Sequence, residues 1–329
     1  MSRPGAGNAG RKAGGAPGRG AAVELSVQIG GVTLPNPVMP ASGTYEVADV
    51  HQGFFRPSEL GAVINKTIFR DPRTGNPPPR IWETPCGMLN AIGIPSEGVE
   101  RFLTEQLPRL RALGPPVVVS IAGNSYDEWL DLAARIEAAG QADLLELDLS
   151  CPNLQDGILW ATDRENLHRV VAGVAGVTGL PVIAKLSPNV RDIAAMAAVA
   201  EGAGAAAVSM VNTYQGMAID LRTRRPALGN LTGGLSGPAI RPLAVFAVYS
   251  TYRRVRIPIV GMGGIATGED AVQFLLAGAT AVAVGTRSFV EPGAMRQVIE
   301  GIRRYVSENG FRSVRELIGL AHRAETSRQ

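Results

Sequence analysis

The sequence predicts an α/β fold: a (β/α)8 TIM barrel with a short N-terminal β-hairpin and long loops at the C-terminal face. Three observations predict it. Eight short apolar runs alternate with helical patterns along most of the chain. The runs are followed by polar or glycine-bearing loops, as tight strand-to-helix turns require. The length, 329 residues, suits one such barrel. A doubly wound open sheet is the second choice. Its G-x-G-x-x-G fingerprint after the first strand is missing, and Gly5-Ala6-Gly7 follows no strand.

Residues 1–22 are rich in Gly, Ala, Pro and Arg without periodicity and read as a disordered tail, leaving 23–329 as a single domain. Glu24–Ile29 and Val32–Leu34, split by Gly30-Gly31, read as the hairpin. The expected barrel strands are Val38–Ala41, Ala62–Lys66, Val117–Ile121, Leu144–Leu149, Val182–Leu186, Ala206–Val211, Pro258–Gly261 and Ala281–Gly285. Helical patterns cover Tyr126–Ala139, Asp163–Val177, Val190–Ala203, Pro238–Arg254, Gly268–Ala277 and Gly293–Asn309. Two connections are long, Thr67 to Pro116 and Asn212 to Pro238. Both leave C-terminal strand ends and read as structureless lids or binding loops.

Composition excludes several classes. The net charge of +3 comes from Arg3, Arg11, Lys12 and Arg19 in the tail, and the rest is nearly balanced, so no body-wide field for nucleic acid exists. No apolar run approaches a membrane span, and no secretory h-region is present. Two cysteines give no disulfide framework and fit a reducing, cytoplasmic compartment. Cys86 reads as a small packing residue. His51, His168 and His322 are scattered, so no metal site and no iron–sulfur run is expected.

Chemistry gathers at the strand ends. Strand four, LLELDL, runs into Ser150-Cys151-Pro152-Asn153. Pro152 cannot donate to a ladder, so the strand must finish near Cys151. A thiol there is either a buried hydrophobe, a nucleophile or a general base. Glycines after strands seven and eight, Gly263, Gly264 and Gly285, let backbone N–H groups approach a phosphate. Only three lysines stand among 32 basic residues, and the two in the body, Lys66 and Lys185, both fall at strand ends. A compact ammonium in a confined site is something arginine cannot supply. With amides from Asn65, Asn90, Asn153 and Asn212 they suit a planar, carbonyl-rich ligand. The loop Leu154 to Thr162, which leaves the catalytic mouth, reads as a lid.

Five segments in order, GNPPPRIWETPCGMLNAIGIP, SCPN, AKLSPNV, NLTGGLSGPAI and VGMGGI with AGATAVAVGT, resemble the dihydroorotate dehydrogenases, specifically class 1B. The resemblance runs from about Leu25 to the C-terminus. It implies FMN at the barrel mouth and oxidation of dihydroorotate to orotate in de novo pyrimidine synthesis. Cys151 is similar to the base that takes the C5 proton while hydride passes from C6 to FMN. Lys66 resembles the lysine touching flavin and substrate carboxylate, and Lys185 the one beside the flavin N1/O2 edge. Asn90, Ala91, Ile92, Gly93, Ile94, Asn153, Asn212 and Thr213 match substrate-contacting motifs. Ser42, Thr67, Ser120, Val211, Gly237, Gly263, Gly264, Gly285 and Thr286 match flavin contacts. Asp148 matches a position that faces both, but there the family has asparagine. Ser120 stands where class 1B has asparagine and class 1A serine.

Class 1B further implies a homodimer core in a heterotetramer, with FAD and a [2Fe–2S] cluster on a partner subunit that passes electrons to NAD. Class 2 enzymes use serine for the base and carry an N-terminal membrane segment, unlike this chain. Two other readings share the barrel: a dihydropyrimidine dehydrogenase-like reductase, and a non-catalytic FMN-binding subunit. A phosphosugar-binding barrel is a further alternative.

Overall fold

The computed structural model describes residues 23–45, 53–150, 160 and 162–326. Eight parallel strands form one sheet: β1 (Val38–Pro40), β2 (Val63–Ile64), β3 (Val117–Ile121), β4 (Leu144–Asp148), β5 (Val182–Lys185), β6 (Ala207–Met210), β7 (Ile259–Met262) and β8 (Ala281–Val284). Around the sheet the order is β1-β8-β7-β6-β5-β4-β3-β2. That cyclic order is a barrel and not a doubly wound sheet. The β1–β2 seam is joined by the Gly61 amide, which donates to the Val38 carbonyl at 2.7 Å. Any Cβ on Gly61 would lie 2.1 Å from the Asn36 carbonyl oxygen, so only glycine lets the two strands approach here.

All eight expected strands are present: Val117–Ile121 has its expected bounds, Ile259–Met262 is shifted by one residue, and the other six are shorter by one to three residues. Helices α1 (Leu107–Ala112), α2 (Tyr126–Ala139), α3 (Arg164–Val177), α4 (Ile193–Gly202), α5 (Arg241–Tyr252), α6 (Gly268–Ala277) and α7 (Ala294–Glu308) lie between and after the strands. Their starts follow capping chemistry. Ser125, Asp163, Asp192 and Thr267 each accept a backbone N–H of the first turn. Apolar residues of strands and helices form one continuous core, including Trp129, Phe274, Leu132 and Ile121.

The N-terminal hairpin, Val27–Ile29 with Val32–Leu34, closes one end of the barrel. Gly30 packs against Pro181 and Ala206, which lead into β5 and β6. Leu25, Val27, Ile29 and Leu34 are buried there. The site therefore belongs to the opposite end, where the strands terminate.

The two long connections are not structureless, contrary to expectation. The first contributes a hairpin, Ile81–Thr84 with Gly87–Asn90, and the helical run 99–112. The second contributes Tyr214–Gly216 and Gly233–Ser236. Together they form a four-stranded antiparallel sheet in which Gly233–Ser236 pairs with Gly87–Asn90. The GGLS strand carries no β-branched residue, so only a partner remote in sequence makes it a strand. Cys86 is also not the expected packing residue. It sits in the turn between Thr84 and Gly87 and is exposed. Residues 1–22 and most of the expected lid lie outside the described residues. The lid's Trp160 is buried edge-on against Trp129, with ring centroids 6.4 Å apart. Among the described residues no helix is long and apolar enough to cross a membrane.

Candidate active site

In β4 the side chains of Glu146 and Asp148 point the same way, because alternate residues share a face. Leu145 and Leu147 take the other face. In register beside them are Ser120 on β3, opposite Glu146, and Lys185 on β5, opposite Asp148. Ser209 on β6 lies opposite Lys185. A parallel barrel thus stacks five polar side chains into one layer near the C-terminal ends. All five are at least nine-tenths buried.

Asp148 is the hub of this layer. Its Oδ2 accepts from Thr67 Oγ1 at 3.1 Å and from Lys185 Nζ at 3.4 Å. Its Oδ1 accepts from Ser150 Oγ at 2.7 Å and from Asn212 Nδ2 at 3.5 Å. Those donors come from four segments: the ends of β2, β5 and β6 and the turn after β4. The buried carboxylate of Asp148 is thus paired with the Lys185 ammonium. Asn212 also bonds the Ser150 hydroxyl, which fixes the residue immediately before Cys151.

Glu146 behaves differently. Burial pushes its carboxyl above the ordinary range; Lys185 opposes that and Asp148 adds to it. Glu146 Oε1 is 3.2 Å from Ser120 Oγ, Ser120 Oγ is 2.9 Å from Thr67 Oγ1, and Thr67 Oγ1 is 3.1 Å from Asp148 Oδ2. Two hydroxyl protons cannot fill three contacts, so the chain takes one further proton from the pair of carboxyls. Ser209 donates to the other oxygen of Glu146 at 3.0 Å.

The remaining expected residues ring this layer. Ser42, after β1, has its hydroxyl 2.8 Å from that of Thr67. Lys66 lies beside Gly43, whose Cβ would stand 3.8 Å from the Lys66 Cγ. Thr213 abuts Gly234, and Asn90 Nδ2 donates to the Gly234 carbonyl at 3.3 Å. Asn90 thus joins Thr213 through Gly234, whereas Ala91, Ile92 and Gly93 pack against Gly75 and Asn76. Val211, Gly237, Gly263 and Gly264 form a contiguous surface. Gly285, after β8, adjoins Ala41 and Thr44, which follow the neighbouring β1, and Thr286 follows it. Cys151 and Asn153 lie outside the described residues; their neighbour Ser150 marks where the chain leaves β4.

Gly264 has φ +76°, and a Cβ there would lie 2.7 Å from the Gly237 carbonyl oxygen and 2.9 Å from the Arg241 nitrogen, so glycine lets the chain pack here. A phosphate-bearing cofactor fits the unpaired donors that follow β8. Just past Thr286, Arg287 Nε and Ser288 Oγ are buried with no hydrogen-bond partner, the donor types an anion takes up. Among the described residues no group of three or more His, Cys, Asp or Glu could hold a metal ion.

Glu146, Ser209, Ser150, Arg287 and Ser288 were not among the expected site residues. The signal for Glu146 was present: an acid two residues before Asp148 in an otherwise apolar strand must share its face. Ser150 stands in the SCPN turn already singled out, whereas Ser209 carries no such mark in sequence.

Comparison with known proteins gives the family. The profile of the family described as dihydroorotate dehydrogenase matches residues 24–306. The chain is 49% identical over 302 residues to "Dihydroorotate dehydrogenase B (NAD(+)), catalytic subunit" of Desulforudis audaxviator, covering 92% of this chain and 98% of that one. It is 46% identical over 297 residues to the protein of the same name from Geobacter sulfurreducens, covering 90% and 97%. Among solved structures it is similar to DHODH of Eimeria tenella in complex with ferulenol, with TM-score 0.75, 26% identity and coverage of 91% and 89%.

Proposed function

This chain belongs to the dihydroorotate dehydrogenase family, and from that premise we propose that it is the catalytic subunit of an NAD-linked, FMN-dependent dihydroorotate dehydrogenase of pyrimidine synthesis. The observation that carries the reading is the polar layer at the barrel mouth. It sets Lys185, Thr67 and Asn212 around the end of the strand that runs on through Leu149 and Ser150 to Cys151.

FMN, when bound, supplies the hydride acceptor. The chain's own residues do the rest. Cys151 takes the C5 proton of dihydroorotate, which is acidified because C5 is α to a carbonyl. Asn90, Asn153 and Asn212 offer amide donors to the ring carbonyls, where charge develops as the proton leaves. Lys66 offers an ammonium to the substrate carboxylate. Lys185 would face the flavin ring edge, and Gly263, Gly264, Gly285 and Thr286 would hold its phosphate. Ser42, Thr67 and Ser120 line the same pocket. The relatives' description as catalytic subunits supports a partner; we assign to it the FAD and [2Fe–2S] cluster, with two copies of this chain at the core of a cytoplasmic heterotetramer.

Anaerobic addition of dihydroorotate should bleach the flavin of the purified protein, and dihydrouracil should not. Cys151→Ala should slow that bleaching by about 10²–10⁴-fold while flavin stays bound. A yellow protein whose flavin dihydroorotate never reduces would overturn the assignment. Rapid reoxidation by fumarate without a partner would overturn the NAD-linked class.

A further inference from the structure

We propose that Asp148 is a positioning residue that sets the charge of Lys185: its carboxylate is the counter-ion of that ammonium, so the cofactor edge meets a neutral pair and not a free cation. The inference deepens the reading above and rests on its placement of FMN beside Lys185.

Three observations carry it. Lys185 Nζ stands 3.4 Å from Asp148 Oδ2 and 3.8 Å from Glu146 Oε1, with all three side chains almost wholly buried. The contacts through Ser120 and Thr67 take one proton from the pair Glu146 and Asp148. The nearer ammonium and three further donors mark Asp148 as the carboxyl that serves as counter-ion. Its four donors, from Thr67, Lys185, Ser150 and Asn212, fit an ionised carboxylate, which is acceptor-only with about four lone-pair directions. A neutral amide could accept at one atom only, and its NH2 would have to face some of these donors.

The consequence is electrostatic. Two-electron reduction of the bound flavin adds a hydride and leaves a negative charge on the ring when no second proton follows. A free Lys185 cation favours that product; a neutral pair does so far less, because the two opposite charges cancel at the ring. In this chain the flavin is accordingly harder to reduce than it would be with an amide at position 148. Hydride from dihydroorotate remains the reductant, and no further reactant is involved.

The test is the flavin midpoint potential of the holoenzyme, read from the visible spectrum in equilibrium with a reference dye. In Asp148→Asn the reduced-to-oxidised ratio at a fixed dye potential should rise at least about tenfold, about 30 mV for a two-electron couple. Ser150→Ala, which removes a donor but no charge, should leave the potential unchanged. The double variant Asp148→Asn with Lys185→Met contains neither ion and leaves no unpaired buried charge. It should return the potential to near the wild-type value. It also decides the matter where Asp148→Asn alone fails to retain flavin. An unchanged or lowered potential in Asp148→Asn, or a double variant tenfold harder to reduce than wild type, would overturn this inference while leaving the proposed activity intact. Wild-type protein that binds no flavin would instead overturn the proposed function itself.

Discussion

At the scale of single residues, the barrel mouth shows how two like side chains on one strand acquire different states. Glu146 and Asp148 are two residues apart and share a face, yet one is surrounded by serine hydroxyls and the other by four donors including an ammonium. Desolvation dominates at Glu146 and raises its pKa. The sign for stability follows. Below the ordinary carboxylate value of 4.5 the group is protonated both folded and unfolded, and its contribution is fully present. As pH rises above that, the unfolded chain releases the proton first, and stability declines by about 1.4 kcal/mol per pH unit until the raised folded value is passed. Glu146→Gln should lack this decline. Urea midpoints of both proteins across about pH 4 to 8 check it; parallel curves would show that Glu146 does not hold its proton in the fold.

At the scale of elements, the seam between β1 and β2 is the place where the barrel depends on one small residue. The Gly61 amide bonds the Val38 carbonyl, and the space a side chain needs is filled by backbone oxygens of Asn36 and Val38. Backbone cannot move aside as a side-chain tip can. Gly61→Ala should therefore destabilise by about 1–3 kcal/mol, as overpacking does, measured as a lower denaturant midpoint with an unchanged slope. The helix starts are more forgiving. Asp163, whose carboxylate accepts from the Asn166 amide at 2.8 Å, should cost about 1 kcal/mol on change to alanine. Its helix, α3, follows directly after the loop that carries Cys151. A thermal scan of Asp163→Ala should show that loss with flavin still bound.

At the scale of the whole molecule, the two ends of the barrel have separate duties. The N-terminal hairpin closes one end with four buried apolar side chains, and Arg315 ties it down through the Ser26 carbonyl at 2.9 Å. Burying each such side chain is worth about 1.5–3 kcal/mol. Deletion of residues 1–22 should leave the unfolding transition in place, whereas deletion through Leu34 should abolish cooperative unfolding. A circular-dichroism melt of the two truncations distinguishes them. The open end carries the chemistry, and its roof is the four-stranded sheet assembled from both long connections. Electron exit to NAD belongs to this scale as well. Reoxidation of the dihydroorotate-reduced protein by NAD should require the partner subunit, and stopped-flow mixing with NAD alone should show none.

The sequence alone determined the strand and helix order and the barrel class, and it singled out Thr67, Ser120, Asp148, Lys185 and Asn212, which the fold brings together. Those features are local: apolar runs of strand length, capping residues, glycine-bearing turns, and motifs such as SCPN and AKLSPN. It also marked Lys66 and Lys185 through the scarcity of lysine. Only the tertiary structure decided which side chains share a charge. Lys185 is 37 residues from Asp148, Asn212 is 64 and Thr67 is 81, so their meeting depends on strand register and closure, not on any local pattern. The same holds for the sheet over the mouth, where glycine-rich Gly233–Ser236 becomes a strand because Gly87–Asn90 lies beside it. Hydrophobic periodicity is written residue by residue, whereas ionisation depends on what burial and long-range pairing bring within a few ångströms.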